Sequence, residues 1–300
     1  QNDSPKKTYK LTIEESDRNV EGLTGITKEQ LIKYGKEYRA IIKKQEKERK
    51  ENLAIFVYKE VLWKDFPDLL KNSKNSLILK ILDPENVVLG ENMTEGTLGY
   101  FIAHANDVKL DFSPSDFSNS KLLDDTSSMF CNCSSLLKIC KLPASIINAY
   151  GMFSNCTSLV SIDTSNFTNV KNAASMFNYC ESLVTIDTSV FTKVTNSSNM
   201  FSGCASLISI DTAAFANVIE ADYMFSNCVS LTTIDNFTFK HVINNMGSIF
   251  SHKMLTNCSS LKKISFSSDT EYIEQYERLI TNNEGRLSYK QIENAELYSN

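Results

Sequence analysis

Apolar positions recur along the middle of this chain in an order that fits neither the period of a helix nor that of a strand. In the stretch that begins at Met152 they are Met152, Phe153, Cys156, Leu159, Ile162, Phe167 and Val170. Close copies begin at 176, 200 and 224, each 24 residues after the last, and looser copies begin at 129 and 254. A fixed period of this length predicts a stack of repeats, in which each unit buries its apolar side against its neighbours.

The repeat predicts a chain that turns once every 24 residues, so that identical residues form columns with coils roughly 5 Å apart if strands pair between them. A short strand is expected at 161–165, where Ile162 and Thr164 point inward. Its other side chains point outward. Equivalent strands are expected to place Ile162, Ile186, Ile210 and Ile234 side by side.

The spacing Leu159-x-x-Ile162-x-Thr164-x-x-Phe167 matches a leucine-rich-repeat layout, with Thr and Phe as departures. Together with the preceding Met-Phe and the pattern C-x-S-L-x-x-I, it resembles the BspA-like branch of leucine-rich repeats. It also resembles the related repeat of unknown function in mycoplasma and spirochaete surface lipoproteins. The resemblance covers about residues 108–266 and implies a leucine-rich-repeat-like solenoid on a surface protein used in adhesion or host contact. The Leu-Pro pair that often follows the strand in this family occurs here only at 142–143.

Both flanks are expected to cover the ends of the stack, which would otherwise expose apolar surface. We therefore divide the chain into an N-terminal tail (1–26), an α/β capping region (27–107), the solenoid (108–266) and a C-terminal helical cap (267–300).

Local signals support this division. Thr27 with Gln30, and Ser268 with Glu271, are helix-start signals. Residues 53–63 fit either a helix or a strand. Strands are predicted at 77–82 and 99–112, and a last helix at 288–297.

Composition and charge argue against some classes of function. The net charge is −5, and residues 111–240 hold 6 basic and 11 acidic side chains, which argues against a nucleic-acid groove. The chain has no apolar run long enough to predict a transmembrane helix. No signal peptide is evident at the start, so an extracellular or cell-surface location would require a mature or trimmed chain.

Six cysteines hold the same place in successive repeats: Cys133, Cys156, Cys180, Cys204, Cys228 and Cys258. They are interpreted as a buried, reduced column that acts as small apolar filler, with disulfides between neighbouring coils as the alternative. Cys131 and Cys140 lie off this column and could pair or stay free. A metal site built from Cys131, Cys133 and Cys140 is disfavoured, because it lacks a C-x-x-C pair and a nearby histidine.

No catalytic motif is found. His241 and His252 are assigned to the surface and to an insertion, and His104 to a partly buried site. The sequence lacks H-E-x-x-H, G-x-S-x-G and a phosphate loop, so no enzyme activity and no cofactor are expected.

One polar column is repeated at the outward strand positions. Asp163, Asp187, Asp211 and Asp235 recur every 24 residues, and beside them lie Ser161, Thr185, Ser209 and Thr233. Two interpretations stay open: each Asp accepts a hydrogen bond from a turn amide, or the column faces a ligand. These eight residues are the candidate ligand-binding set.

The leading hypothesis is a surface-displayed, non-enzymatic binding or adhesion protein whose partner is a host or neighbouring-cell protein or glycan, and not nucleic acid. The alternative is a structural, envelope-organising protein that assembles with copies of itself. Self-assembly would require a sizeable exposed apolar patch or an uncapped end.

Overall fold

The computed structural model describes residues 56–105, 108–239, 242, 253–266 and, for the backbone, 296–299. The chain divides into two compact units, Gln1–Ala54 and Ile55–Asn300, and every described residue belongs to the second. The helix predicted after Thr27 lies outside the described residues. The regular elements among the described residues are mostly parallel β-strands with few helices, and turns connect them.

The first described elements form a β-α-β unit. Strand β1 (Phe56–Val61) leads through a 3₁₀ turn, Trp63–Asp65, into helix α1 (Phe66–Asn72), and strand β2 (Ser76–Ile81) then pairs with β1 in parallel. The segment 53–63, for which the sequence allows a helix or a strand, is therefore a strand from residue 56 onward. The strand predicted at 77–82 is confirmed as β2.

The strand predicted at 99–112 is wrong in its first half. After a 3₁₀ turn, Pro84–Asn86, and strand β3 (Val88–Leu89), the chain forms helix α2 (Leu98–Ala103). The Thr97 hydroxyl caps this helix by accepting a hydrogen bond from the Tyr100 amide at 3.2 Å. Gly99 packs so closely that a Cβ there would lie 1.9 Å from the Met129 carbonyl oxygen. Tertiary packing against the first repeat therefore selects the helix, and the strand shrinks to β4 (Leu110–Asp111).

Parallel strands then follow at intervals along the repeats. They are β5 (Lys121–Leu122), β6 (Leu136–Ile139), β7 (Ser161–Ile162), β8 (Ser209–Asp211), β9 (Thr233–Phe237), β10 (Lys263–Phe266) and β11 (Glu296–Ser299), with a 3₁₀ helix at Ala213–Asn217. They form sheets in the orders β1-β2-β4-β6-β7, β11-β10-β9-β8 and β3-β5. A second line of parallel bridges joins Asn148, Asn172, Asn196 and Glu220.

The predicted row of four isoleucines is interrupted at Ile186. Ile162 pairs with Ile139, and Ile210 pairs with Ile234, but Ile186 lies in no strand. At this point side chains replace the ladder. The Asp187 carbonyl accepts a hydrogen bond from the Thr164 hydroxyl at 2.9 Å, whereas the Asp235 carbonyl accepts from both the amide and the hydroxyl of Thr212.

The predicted last helix, 288–297, is wrong at its end. Residues Glu296–Ser299 form strand β11, which pairs in parallel with β10. The open edge of β10 offers unpaired amides and carbonyls, and a strand satisfies them where a helix could not. The rest of the predicted helical cap, 267–295, lies outside the described residues.

The core consists of the columns that the repeat predicts. The Met, Phe, Cys and Leu of each full repeat from 129 to 224 are fully buried. Rings of successive repeats stack nearly parallel, with centroids 5.3 Å apart for Phe130–Phe153 and 5.9 Å for Phe201–Phe225. A second ring column comprises Phe167, Phe191, Phe215 and Phe239.

Candidate functional site: the strand face

The strand face is the surface formed by the outward positions of the repeat strands from 160 to 235. Ser161, Asp163, Thr185, Asp187, Ser209 and Asp211 are exposed, and Thr233 and Asp235 are half-buried. The structure therefore brings all eight predicted residues to one surface.

A buried threonine column anchors this face from beneath. Thr164, Thr188 and Thr212 are nearly inaccessible, and each hydroxyl donates to an Asp carbonyl of the next repeat. For Thr188 and Asp211 the two oxygens lie 2.5 Å apart. The sequence identifies these threonines as inward departures from a leucine position. Their hydrogen bonds become visible only with the neighbouring repeat in place.

Three aspartates of the column also close a local turn. One carboxylate oxygen of Asp163 accepts the Ser165 amide at 3.0 Å, and Asp187 and Asp211 do the same with the amides of Ser189 and Ala213. This is an Asx turn, and it engages Oδ1. The turn interpretation is therefore present in the structure. It does not exclude a ligand-facing role, because a carboxylate has a second oxygen with its own acceptor sites.

Hydrogen bonding keeps two of these carboxylates ionised. The Ser165 side chain and then its amide lower the pKa of Asp163, and Ser189 lowers the pKa of Asp187 in the same way. Both groups are therefore anionic at neutral pH and present repeated negative charge to the solvent.

At the C-terminal end of the column, the aspartate carboxylates also contact side chains of the following repeat. Asp235 accepts the Ser265 hydroxyl at 3.0 Å, and its Oδ1 lies 3.9 Å from the Lys263 ammonium. Asp211 accepts the Asn236 side-chain amide at 3.0 Å. Lys141 of the preceding repeat also acts on Asp163 and lowers its pKa, whereas no lysine or arginine of the described residues contributes to the lowered pKa of Asp187.

Beside the aspartates runs an aliphatic column that the sequence prediction does not include. Val160, Val184 and Ile208 occupy one position in three successive repeats and are 37%, 40% and 48% exposed. A signal for it exists in the sequence, because the position directly follows the buried Leu of each repeat. That signal is easily overlooked, since an apolar residue in a strand is normally assigned to the core.

A cavity of about 510 Å³ opens at the N-terminal end of the strand face. The cavity wall is formed by the loop after β4, by the end of β6 with the two residues that follow it, and by β7 with Asp163. The lining residues are Ser113, Ser115, Asp116, Lys138, Ile139, Cys140, Lys141, Ser161, Ile162 and Asp163. Two of the eight predicted residues, Ser161 and Asp163, therefore lie in its wall.

The cysteine column is buried, and all eight cysteines, which lie in the described part of the chain, are free thiols. Beyond filling space, the column donates hydrogen bonds: the Sγ of Cys180, for example, lies 3.2 Å from the Phe153 carbonyl oxygen of the preceding repeat. Burial raises the pKa of the Cys204 thiol to about 12. Cys131 and Cys140 are unpaired as well.

The described residues contain no cluster of three or more His, Cys, Asp or Glu side chains able to hold a metal ion, so nothing there supports the thiol metal site. His104 is exposed instead of partly buried, and its Nδ1 lies 2.7 Å from the Tyr100 carbonyl oxygen. His241 and His252 lie outside the described residues. None of the helices described is long and apolar enough to cross a membrane.

Comparison with known proteins identifies a family for the repeats. A family model described as Mycoplasma protein of unknown function, DUF285, matches residues 101–211 and again residues 147–264. The two matches together cover more than half of the chain, and they overlap because the repeats allow the model to be placed twice. No curated protein matches the chain, and no solved structure matches it.

Proposed function

This chain belongs to DUF285, a family described as Mycoplasma protein of unknown function, and from that premise we propose that it is a non-enzymatic binding protein. In this proposal the repeats form a leucine-rich-repeat-like solenoid that is displayed outside the cell or on its surface. The strand face binds a protein or glycan of a host or neighbouring cell. The observation that carries the proposal is the regular polar and aliphatic surface of the strand face, since it repeats the same groups at one spacing.

Preorganisation supports a binding role. The backbones of Asp187 and Asp211 are each fixed from below by a threonine hydroxyl, and their carboxylates are each fixed by the amide two residues further on. A partner therefore meets groups that are already ordered, and binding costs little conformational entropy.

The chemistry of the face limits the partner. Exposed carboxylates beside hydroxyls and an aliphatic column favour a long partner with basic groups and some apolar surface. Negative potential also speeds encounter with a basic partner at low salt. It disfavours nucleic acid, whose phosphates would be repelled.

The test is a binding screen of the purified full chain against matrix proteins and glycans, followed by a charge variant. Asp187→Asn with Asp211→Asn keeps the side-chain shape and removes two charges. We expect weaker binding and a shallower salt dependence with unchanged folding. The matched control is Glu220→Gln with Asp222→Asn, which removes two charges near the line of bridges at Glu220. Wild-type affinity and salt dependence in the Asp187/Asp211 variant would contradict the proposal.

A second candidate function, self-assembly into an envelope structure, is favoured by the exposed aliphatic column. Val184→Ser with Ile208→Ser would then abolish association of the chain with itself. Analytical ultracentrifugation separates the two functions, because a binding protein stays monomeric across the concentration range with or without these changes.

A further inference from the structure

The cavity at the N-terminal end of the strand face lies where the aspartate column ends, because the preceding repeat has a cysteine at the equivalent position. Strand β6 pairs with β7 so that Ile139 lies opposite Ile162, which places Cys140 opposite Asp163. Cys140 is buried, with 5% of its surface exposed, whereas the aspartates at the equivalent place in the next repeats are exposed. A short inward thiol thus replaces an outward carboxylate, and a depression is left above it.

Two carboxylates border this depression from opposite sides. Asp163 comes from the following repeat, and Asp116 comes from the loop after β4. Burial is the main cause that raises the pKa of the Cys140 thiol, and both carboxylates raise it further through their charge. Each is held ionised by a turn, since Asp116 accepts the Ser118 amide at 2.9 Å and Asp163 accepts the Ser165 amide at 3.0 Å.

Two lysines complete the wall and occur at no equivalent place in the three repeats that follow. Lys138 stands where those repeats have Ser161, Thr185 and Ser209, and Lys141 stands where they have threonine. The Lys138 ammonium lies 3.9 Å from Asp111. Lys141 lies near enough to lower the pKa of both Asp116 and Asp163, and no ion pair within 4.0 Å joins it to either in the described structure.

Opposite charges therefore face one cavity, and no contact within 4.0 Å joins the four charged lining side chains to one another in the described structure, although Lys138 also pairs with Asp111 outside the lining. A ligand with a single charge would satisfy one pair and be repelled by the other. A ligand with both charges would satisfy both pairs, and its carbon chain would lie on the apolar floor formed by Ile139, Cys140 and Ile162.

We propose that this cavity binds a zwitterionic ligand of the amino-acid type, in which a short carbon chain joins one ammonium to one carboxylate. The ammonium lies between Asp116 and Asp163, and the carboxylate contacts Lys138 and Lys141. The ligand can be a free amino acid or a neighbouring pair of basic and acidic side chains on a peptide, since both present one ammonium and one carboxylate to the cavity. This site goes beyond the proposed function and does not depend on it.

The probes are 4-aminobutyrate, butyrate and butylamine, titrated into the full chain. Backbone amide shifts by NMR locate the site, and equilibrium dialysis gives the affinity. Each exposed ion pair contributes up to about 1 kcal/mol, so 4-aminobutyrate is expected to bind about fivefold more tightly than either singly charged analogue. The shifts are expected at 139–141 and 161–163. The capped dipeptide N-acetyl-Lys-Glu-amide forms the second arm, and tighter binding of it than of 4-aminobutyrate would identify a peptide as the source.

Two variants test the roles of the charges, and a third is their control. Asp163→Asn keeps the turn and removes one partner of the ammonium, while Lys141→Gln removes one partner of the carboxylate. Each of these two variants is expected to bind 4-aminobutyrate more weakly than the wild type does. The affinity of the variant for 4-aminobutyrate should then be closer to its affinity for one of the singly charged analogues. Asp187→Asn is the matched control, because it makes the same change in the same turn one repeat away and should bind as wild type does.

Equal binding of all three small probes would overturn the proposal, as would shifts elsewhere or wild-type binding in both cavity variants. These outcomes are separate from failure of the proposed function. That function is tested with the variant at Asp187 and Asp211, which can lose macromolecular binding while 4-aminobutyrate still binds. Conversely, binding of 4-aminobutyrate can fail while macromolecular binding is kept.

Discussion

At the scale of single residues, position in the repeat decides chemical behaviour. A cysteine in the column is fully buried and donates its thiol to a carbonyl, so it is neither a nucleophile nor half of a disulfide. An aspartate at the outward position is ionised and bound to the next turn. In other surroundings a cysteine can have a lowered pKa and react as a thiolate, and an aspartate can have a raised pKa and act as a base.

Thiol labelling tests the cysteine column. Cys156, Cys180, Cys204 and Cys228 are expected to react with a thiol reagent only after denaturation, because burial denies the reagent access and raises the thiol pKa values. Mass spectrometry of protein labelled before and after unfolding measures this. Half-buried Cys131 is the internal control, and it should react first. Rapid labelling of Cys204 in folded protein would contradict the burial.

The aspartate turns predict a pH dependence. The folded pKa values of Asp163 and Asp187 lie below the unfolded value, which is near 3.9. Their contribution to stability is therefore fully present above that unfolded value, and it is lost as pH falls through the lower folded values. Carboxyl NMR titration should give midpoints below 3.9 for both. Asp187→Asn keeps the turn and should flatten the acid side of the stability profile, and no change there would contradict this assignment.

At the scale of the repeat, two tight turns flank each Met-Phe pair. The residue before Met and the third residue after it have positive φ in the repeats beginning at 152, 176 and 200. Asparagine is frequent at the third residue after Met, where it forms side-chain hydrogen bonds between neighbouring repeats, such as Asn155 to Asn132 at 3.0 Å. Tyr179 and Gly203 interrupt this ladder together, because the Tyr179 ring covers Gly203, where a Cβ would lie 2.5 Å from it.

This pair predicts a compensating change. Gly203→Asn alone should destabilise the protein, since the new side chain clashes with the Tyr179 ring. The double variant Tyr179→Asn with Gly203→Asn should recover most of the loss, because asparagine tolerates positive φ and extends the ladder. Urea unfolding midpoints give the coupling energy. Additive effects of the two changes would show that the ring does not cover Gly203 in solution.

The threonine column predicts a second element-scale effect. Thr188→Val removes the donor to the Asp211 carbonyl and keeps the shape of the side chain. It should cost about 1–3 kcal/mol, the usual penalty for leaving such a group unsatisfied. Thr188→Ser keeps the hydroxyl and serves as control, with a smaller loss. A larger loss in Thr188→Ser than in Thr188→Val in urea unfolding would instead assign the main contribution of Thr188 to packing of its methyl group.

At the scale of the whole molecule, the ends of the stack matter most. Strand β10 carries β11 on its outer edge, and an exposed strand edge is a site for association. Removing residues 267–300 would therefore expose that edge.

The truncated chain is expected to self-associate, as measured by light scattering after size-exclusion chromatography, while the full chain does not. The control is removal of 1–26, which does not take away β11 and should leave the protein as little associated as the full chain. A truncated protein that stays monomeric with unchanged melting would show that β11 is dispensable.

The sequence by itself determined the repeat, the buried columns and the outward aspartates. Residues that recur at a fixed period must occupy equivalent places, so the burial of Cys204 or Leu207 follows from pattern alone. The direction of Asp187 followed from strand alternation in the same way.

Only the tertiary structure decided the contacts between residues that are distant along the chain. Helix α2 forms where the pattern predicts a strand because Gly99 packs on Met129, and the strand pairing stops at Ile186 although the threonine hydroxyl bond between repeats continues there to the Asp187 carbonyl. The cavity above Cys140 depends on a loop 24 residues before it and a strand 23 residues after it. Such contacts depend on the register between strands, which a single local pattern does not specify.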